Sequence, residues 1–258
     1  MEMLTSSNIG LSYQINNTHF VLPNYKSEGY TCIDSTKEKR DQIQEEQKSM
    51  SYCLALKNKS YIVLASDSRS VTLNAKNVTF IEDNFPKILY LKKSDIVIVC
   101  GGKNRYDNIP ITDFIKSVES SLYHKDLDTM IEYIASKIQE KMFPNDITNI
   151  LIAKGLEAKY CDITKNNVVI NTLQAVWRCG SSNNLFNQMY IKTENQKEML
   201  TVDLDAFTLP DLIWFAKHII TTQMEYTYFT RNFSYIGGPI QILVLDKNGV
   251  IDSKTELL

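Results

Sequence analysis

The cysteines and histidines bound the chemistry first. Cys32, Cys53, Cys100, Cys161 and Cys179 are odd in number and widely spaced, with no C-x-x-C pair. Neither a disulfide framework nor a zinc site is expected from them, and reduced thiols in a cytosolic compartment are the simpler reading. His19, His124 and His218 are too few for a mechanism built on a histidine cluster. Asp67 stands two residues before Arg69, Lys87 opens an apolar run, and Gly101-Gly102 closes another. Taken singly each has an ordinary reading. Asp67 reads as a turn carboxylate pairing Arg69, Lys87 as a solvent-facing strand lysine, and the glycines as a strand-ending turn.

The chain has 258 residues, 43% hydrophobic and 22% charged, with 28 Lys plus Arg against 30 Asp plus Glu. That is the profile of a globular protein of one large domain or two small ones. A net charge of −2 gives no electrostatic reason to expect nucleic acid or an anionic membrane as partner. Such near-neutrality fits life inside an assembly. The first 17 residues lack a basic region followed by an apolar run, so no signal peptide is expected. No stretch approaches the roughly 18–20 apolar residues of a membrane span, and a cytoplasmic location follows as the expectation.

Residues 1–50 are polar and end in a charged run, for which Ser35 and Glu38 offer a capping pair; a helix over Ser35–Lys48 or a loosely docked extension are both open. From Ser51 the pattern tightens. Strand-like runs at SYCLALKN, SYIVLASDSR, KILYL and IVIVCGG follow one another with hairpin-length breaks, which predicts antiparallel pairing over a βαβ fold. Helical spacing covers Ile111–His124 and Leu127–Phe143. Strands return at NILIAKG, KYCDIT, VVINT and AVWRCG. Two further helices are predicted, near Asn184–Lys192 and over Leu209–Gln223, and two closing strands follow Gly237-Gly238. The order predicts an α+β fold, a four-layer αββα sandwich of two antiparallel sheets with a helix pair outside each.

Four features in this order carry a resemblance. Ala65-Ser66-Asp67-Ser68-Arg69 ends the first predicted hairpin, with Asp67 sixteen residues after Ser51; Lys87 opens KILYL; Cys100-Gly101-Gly102 ends the next strand; and Ile236-Gly-Gly-Pro-Ile-Gln-Ile-Leu-Val-Leu-Asp-Lys-Asn-Gly-Val250 forms the closing hairpin. From Ser51 onward the chain resembles the proteasome β subunits and their bacterial relatives among the N-terminal-nucleophile (Ntn) hydrolases. The resemblance implies an extension or propeptide over 1–50 and an Ntn hydrolase domain over 51–258. It implies Ser51 as nucleophile and its freed α-amino group as general base. Lys87 would lower the pKa of the hydroxyl, Asp67 would hold Lys87 in place, and N–H groups around Gly101 and Gly102 would stabilise the oxyanion. Arg69, Cys179 and Ser181 would support the site. No metal and no cofactor is called for.

The chain also departs from the family. Met50 stands where glycine usually precedes the nucleophile, Ser51 replaces the usual threonine, and Cys179 stands at a family serine. Phe233–Ile236 replaces the family's Asp-x-x-Ser. Cys53, two positions from Ser51, is a rival thiol, otherwise read as core like Cys100 and Cys161. Trp177 and Trp214 read as packing or interface anchors, and Tyr226–Phe229 as core or contact surface. The leading expectation is a peptidase acting on peptide or protein substrates within a homo-oligomeric ring or stacked rings. A non-catalytic structural subunit that keeps its extension is one alternative. An Ntn amidase or peptide ligase is the other.

Overall fold

A computed structural model of the chain describes residues 12–15, 18–21, 51–74, 77–107, 109–180, 185–194, 197–231 and 236–256. Two compact units are present, Met1–Asp41 and Gln42–Leu258. In the first, β1 (Ser12–Ile15) pairs antiparallel with β2 (Thr18–Val21). The helix expected over Ser35–Lys48 lies outside the described residues.

The second unit holds strands β3 (Cys53–Lys57), β4 (Ile62–Ser66), β5 (Ser70–Asn74), β6 (Asn77–Glu82), β7 (Ile88–Leu91) and β8 (Ile96–Gly102), then short β9 (Arg105–Tyr106) and β10 (Ile109–Pro110). Helices α1 (Ile111–Ser117) and α2 (Leu127–Lys141) follow, then β11 (Ile147–Lys154), β12 (Glu157–Thr164), β13 (Val168–Thr172) and β14 (Val176–Cys179). The chain continues through α3 (Leu185–Tyr190), β15 (Ile191–Glu194), β16 (Lys197–Leu200) and α4 (Leu209–Arg231) to β17 (Ile240–Asp246) and β18 (Gly249–Glu256). Two five-stranded antiparallel sheets dominate, ordered β13-β12-β11-β8-β7 and β14-β3-β4-β17-β18. The fold is α+β with antiparallel sheets.

The continuous apolar runs are explained by burial on both faces of each sheet. Side chains alternate along a strand, and the alternation sorts them into separate clusters. Cys53, Ala55, Ile62, Leu64, Leu243 and Leu245 of one sheet join Val97, Val99, Leu151 and Ala153 of the other. Their strand neighbours Leu54, Leu56, Val63, Ile242 and Val244 pack instead with Leu212, Phe215, Ala216 and Ile219 of α4. On the second sheet Ile96, Ile98, Ile150 and Ile152 pack with Ile111 and Ile115 of α1 and Ile131, Ile134 and Ile138 of α2. A one-residue slip of any central strand would exchange its two clusters, so register is strongly specified.

Several expectations change in detail. The helix predicted over Ile111–His124 stops at Ser117 and gives way to a 3-10 turn, Glu119–Leu122. Ser117 Oγ donates to Phe114 O at 2.6 Å, a local bond that competes with helix propagation, and Val118 and two further serines follow. Helix α2 keeps its predicted start because Asp126 Oδ1 accepts Thr129 N at 2.8 Å. Helix α4 runs on to Arg231 because Met224 and Thr227 continue its buried stripe. The hairpins β5–β6 and β15–β16 were not anticipated from periodicity. Within Tyr226–Phe229, Thr227 is buried whereas Tyr228 and Phe229 are exposed. Trp177 is buried near Tyr160, and Trp214 is exposed and stacked on His218. No helix among the described residues is long and apolar enough to cross a membrane.

The four described cysteines are free and buried, and this fixes a pH dependence. Burial pushes the Cys161 thiol up to about 12 and raises Cys100 further. In the unfolded chain thiols ionise near about pH 8.5, so above that value the folded state binds more protons than the unfolded one. Stability is therefore complete below about pH 8.5 and declines as pH rises toward about 12. Urea midpoints are expected to fall steadily from about pH 9 to 11; a flat profile across that range would contradict protonated buried thiols.

Candidate active site

Asp67 follows the last residue of β4, and its carboxylate is fully buried. Its oxygens accept four donors. Oδ1 takes Lys87 Nζ at 2.6 Å and Tyr52 N at 2.8 Å; Oδ2 takes Gly237 N at 3.1 Å and Arg69 N at 3.2 Å. The Lys87 side chain is 1% exposed and that of Asp67 0%. A charge so removed from water is tolerated only when paired and hydrogen-bonded; here the two charges pair with each other, and the carboxylate is bonded at both oxygens. The solvent-facing reading of Lys87 is thus corrected. So is the Asp67–Arg69 pairing: the Arg69 guanidinium turns to Asp83, with Nε to Oδ1 at 2.5 Å and a second bond at 2.8 Å. That bond raises the Arg69 pKa and lowers that of Asp83.

The chain enters this centre from Ser51, which is 1% exposed. Its C-terminal amide is the group whose N–H reaches Asp67, and Asp67 N returns a bond to Tyr52 O at 3.1 Å. The peptide bond after Ser51 and the Lys87 ammonium therefore converge on one carboxylate oxygen. In the continuous chain the Ser51 nitrogen is itself bound in the Met50–Ser51 amide.

Lys87 also sets the distance to the glycine pair, because Cys100 N donates to Lys87 O at 2.9 Å. Beyond Cys100, β8 ends in Gly101 and Gly102, which stand opposite Asn149 and Thr148 of β11. A side chain at Gly101 would place its Cβ 2.1 Å from Cys179 Sγ. At Gly102 φ is +77° and a Cβ would lie 2.5 Å from Ile147 O. Both positions need glycine for space, and the second also for its backbone angle.

Cys179 is the cross-strand partner of Cys53. Its pKa is raised by a hydrogen bond with the Cys53 thiol and by burial. Both thiols belong to the cluster between the sheets, and Cys53 Sγ donates to Cys100 O at 3.4 Å. Cys53 is thus a core thiol. Ser181 lies outside the described residues, as do Phe233–Ser234–Tyr235.

Sequence reasoning missed Asp83 as the partner of Arg69 and the Gly237 N–H as a donor to Asp67. It also missed Gln241, whose side chain bonds the backbone on both sides of Pro86. The signal for Gln241 was present: it is the one polar residue within Ile240–Leu245.

Among the described residues a cavity of about 590 Å³ is lined by Lys57, Asn58, Gln174, Thr201, Asp203 and Asp205. It lies at the far end of β3 from Ser51 and shares no residue with the Asp67–Lys87 centre. No group of three or more described His, Cys, Asp or Glu side chains could hold a metal ion.

The architecture defines an α+β class with two antiparallel sheets, and a solved structure shares that fold. It is a Gly-1 mutant of Anbu from Hyphomicrobium sp. strain MC1. The match covers 80% of this chain and 87% of that one, with a TM-score of 0.56 and 15% sequence identity. No family model matches the chain, and no curated protein matches it.

Proposed function

We propose that the chain from Ser51 onward is a proteasome-type Ntn peptidase, with the two sheets and their helices forming the αββα sandwich of that class. The observation that carries the reading is the buried Lys87–Asp67 pair, whose shared oxygen also receives the amide N–H directly after Ser51. The fold likeness to Anbu, a proteasome-related bacterial protein, supports it.

Cleavage of the Met50–Ser51 bond would release the Ser51 α-amino group. That amine, ionising near about pH 8, accepts the hydroxyl proton as Ser51 Oγ attacks the substrate carbonyl carbon. The positive charge of Lys87 stabilises the developing alkoxide, and Asp67 fixes Lys87 in position. N–H groups around Gly101 and Gly102 at the end of β8 serve the tetrahedral oxyanion. Collapse breaks the C–N bond, the proton passes to the leaving amine, and a Ser51 ester remains. Water then attacks the ester and regenerates the hydroxyl. In this reading Cys179 packs against Gly101 from behind.

Peptide or protein substrates and a homo-oligomeric, proteasome-like ring in the cytoplasm complete the proposal. Exposed Trp214, Tyr228 and Phe229 on α4 support contact with further subunits. A second reading, a structural subunit that keeps residues 1–50, is favoured by the burial of Ser51 in the continuous chain. Hydrolysis of a panel of fluorogenic peptide amides by the wild type and by Ser51→Ala separates the two.

A further inference from the structure

Gln241 occupies a position where an apolar side chain is expected. On β17 the residues Leu243 and Leu245 point between the sheets, while Ile240, Ile242 and Val244 face α4. Alternation puts Gln241 on the inward face with the leucines, and there both ends of its amide are hydrogen-bonded. Oε1 accepts Lys87 N at 2.9 Å and Ile88 N at 3.2 Å, and Nε2 donates to Phe85 O at 2.9 Å. Ser66 Oγ donates to the same Oε1 at 3.4 Å, and Ser66 is the β4 residue paired with Gln241.

These bonds span the segment on which Lys87 sits. Pro86 has no N–H and a fixed φ, so Phe85–Ile88 can be anchored only through the groups around it. Phe85 N reaches Ser68 O at 2.9 Å, and Lys87 O accepts Cys100 N. Three further backbone groups of the segment, Phe85 O, Lys87 N and Ile88 N, all bond to one side chain. That side chain comes from the sheet that carries Asp67 at the end of β4. Lys87 immediately precedes β7, the edge strand of the other sheet. Without Gln241 the segment keeps the Phe85 N–Ser68 O bond on the Asp67 side, while the Lys87 backbone itself keeps only the bond from Cys100 of its own sheet.

We infer that Gln241 is a positioning residue, a clamp between the sheets that sets the Lys87 backbone relative to Asp67 and Ser51. It touches neither substrate nor reacting atoms and acts through Lys87. Its catalytic consequence rests on the peptidase reading above, whereas the clamp itself does not. Leucine at this position offers neither the acceptor for Lys87 N and Ile88 N nor the donor for Phe85 O. Gln241→Leu removes all of the bonds at similar volume, and Gln241→Glu keeps an acceptor for Lys87 N and Ile88 N while losing the donor to Phe85 O.

The test uses the full chain and two readouts. In hydrogen exchange, the Lys87 and Ile88 amides are expected to exchange at least about tenfold faster in Gln241→Leu, with Gln241→Glu between it and the wild type. Amides of α2 should be unchanged in both. In peptide-amide hydrolysis, Gln241→Leu is expected to lower kcat about 10- to 100-fold with KM within about twofold, and Gln241→Glu to recover at least about threefold of that loss. Unchanged exchange at Lys87 and Ile88 overturns the clamp. Faster exchange with unchanged kcat, or a loss confined to KM, overturns the positioning role. A wild type that hydrolyses no amide counts against the peptidase reading, while the exchange experiment still decides the clamp. Exchange that rises equally in α2 assigns Gln241 to global stability and overturns the inference as well.

Discussion

Replacing Ser51 by alanine is expected to lower amide hydrolysis by at least about 1,000-fold while leaving the folded structure intact. The large factor follows from the role: removing a nucleophile eliminates the covalent route altogether, and such losses reach about 10⁶ in serine hydrolases. The expectation of intact structure follows from the contacts. The Tyr52 N–H, rather than the Ser51 side chain, binds Asp67, and the Asp67–Lys87 bond does not involve Ser51. The rival thiol provides the control. Cys53 is 0% exposed and its Sγ donates to Cys100 O, so Cys53→Ala is expected to keep hydrolysis within about threefold. Activity retained in Ser51→Ala and lost in Cys53→Ala would reverse the assignment.

The second large effect concerns stability and is asymmetric within one ion pair. Asp67→Ala leaves the buried Lys87 ammonium without a counter-charge and deprives the N–H groups of Tyr52, Arg69 and Gly237 of their acceptor. Breaking a buried pair from one side costs about 3–5 kcal/mol, and the orphaned amides place this variant at the upper end. Lys87→Met leaves the Asp67 carboxylate with three backbone donors still in place, so a smaller loss of about 1–2 kcal/mol is expected. Urea denaturation of both variants checks the order. Equal losses, or a larger loss for Lys87→Met, would mean that the backbone donors do not stabilise the carboxylate. Hydrolysis is expected to fall in both, because each removes the charge arrangement beside Ser51.

How far the sequence could be read depends on the kind of contact involved. The sheet strands were visible because Cys53–Lys57, Ile62–Ser66 and Ile96–Gly102 are continuous apolar runs, which burial on two faces requires. Asp67 and Lys87 could be connected through spacing along two consecutive hairpins. The meeting of Cys53 with Cys179 could not, since β3 and β14 are far apart in the chain and no local pattern states their register. Arg69 was read as the partner of its near neighbour Asp67, but that carboxylate is already filled by Lys87 and three backbone groups. The guanidinium therefore takes Asp83 at the end of the β5–β6 hairpin, an element that periodicity did not reveal. The short α1 was overextended because the apolar spacing continues to Leu122 while the backbone changes to a tighter turn at Val118. Gln241 shows the limit most clearly: its polarity within an apolar strand was legible, whereas its three backbone partners lie in Phe85–Ile88, about 155 residues earlier in the chain, at the entry to the opposite sheet.

The most direct test of the central proposal is the intact mass and N-terminal sequence of protein matured from the full 258-residue chain. The account predicts a mature species beginning at Ser51, with the released amine adjacent to the Asp67–Lys87 pair. Protein that hydrolyses peptide amides with the Met50–Ser51 bond intact would contradict it, because the general base would then still be locked in a peptide bond.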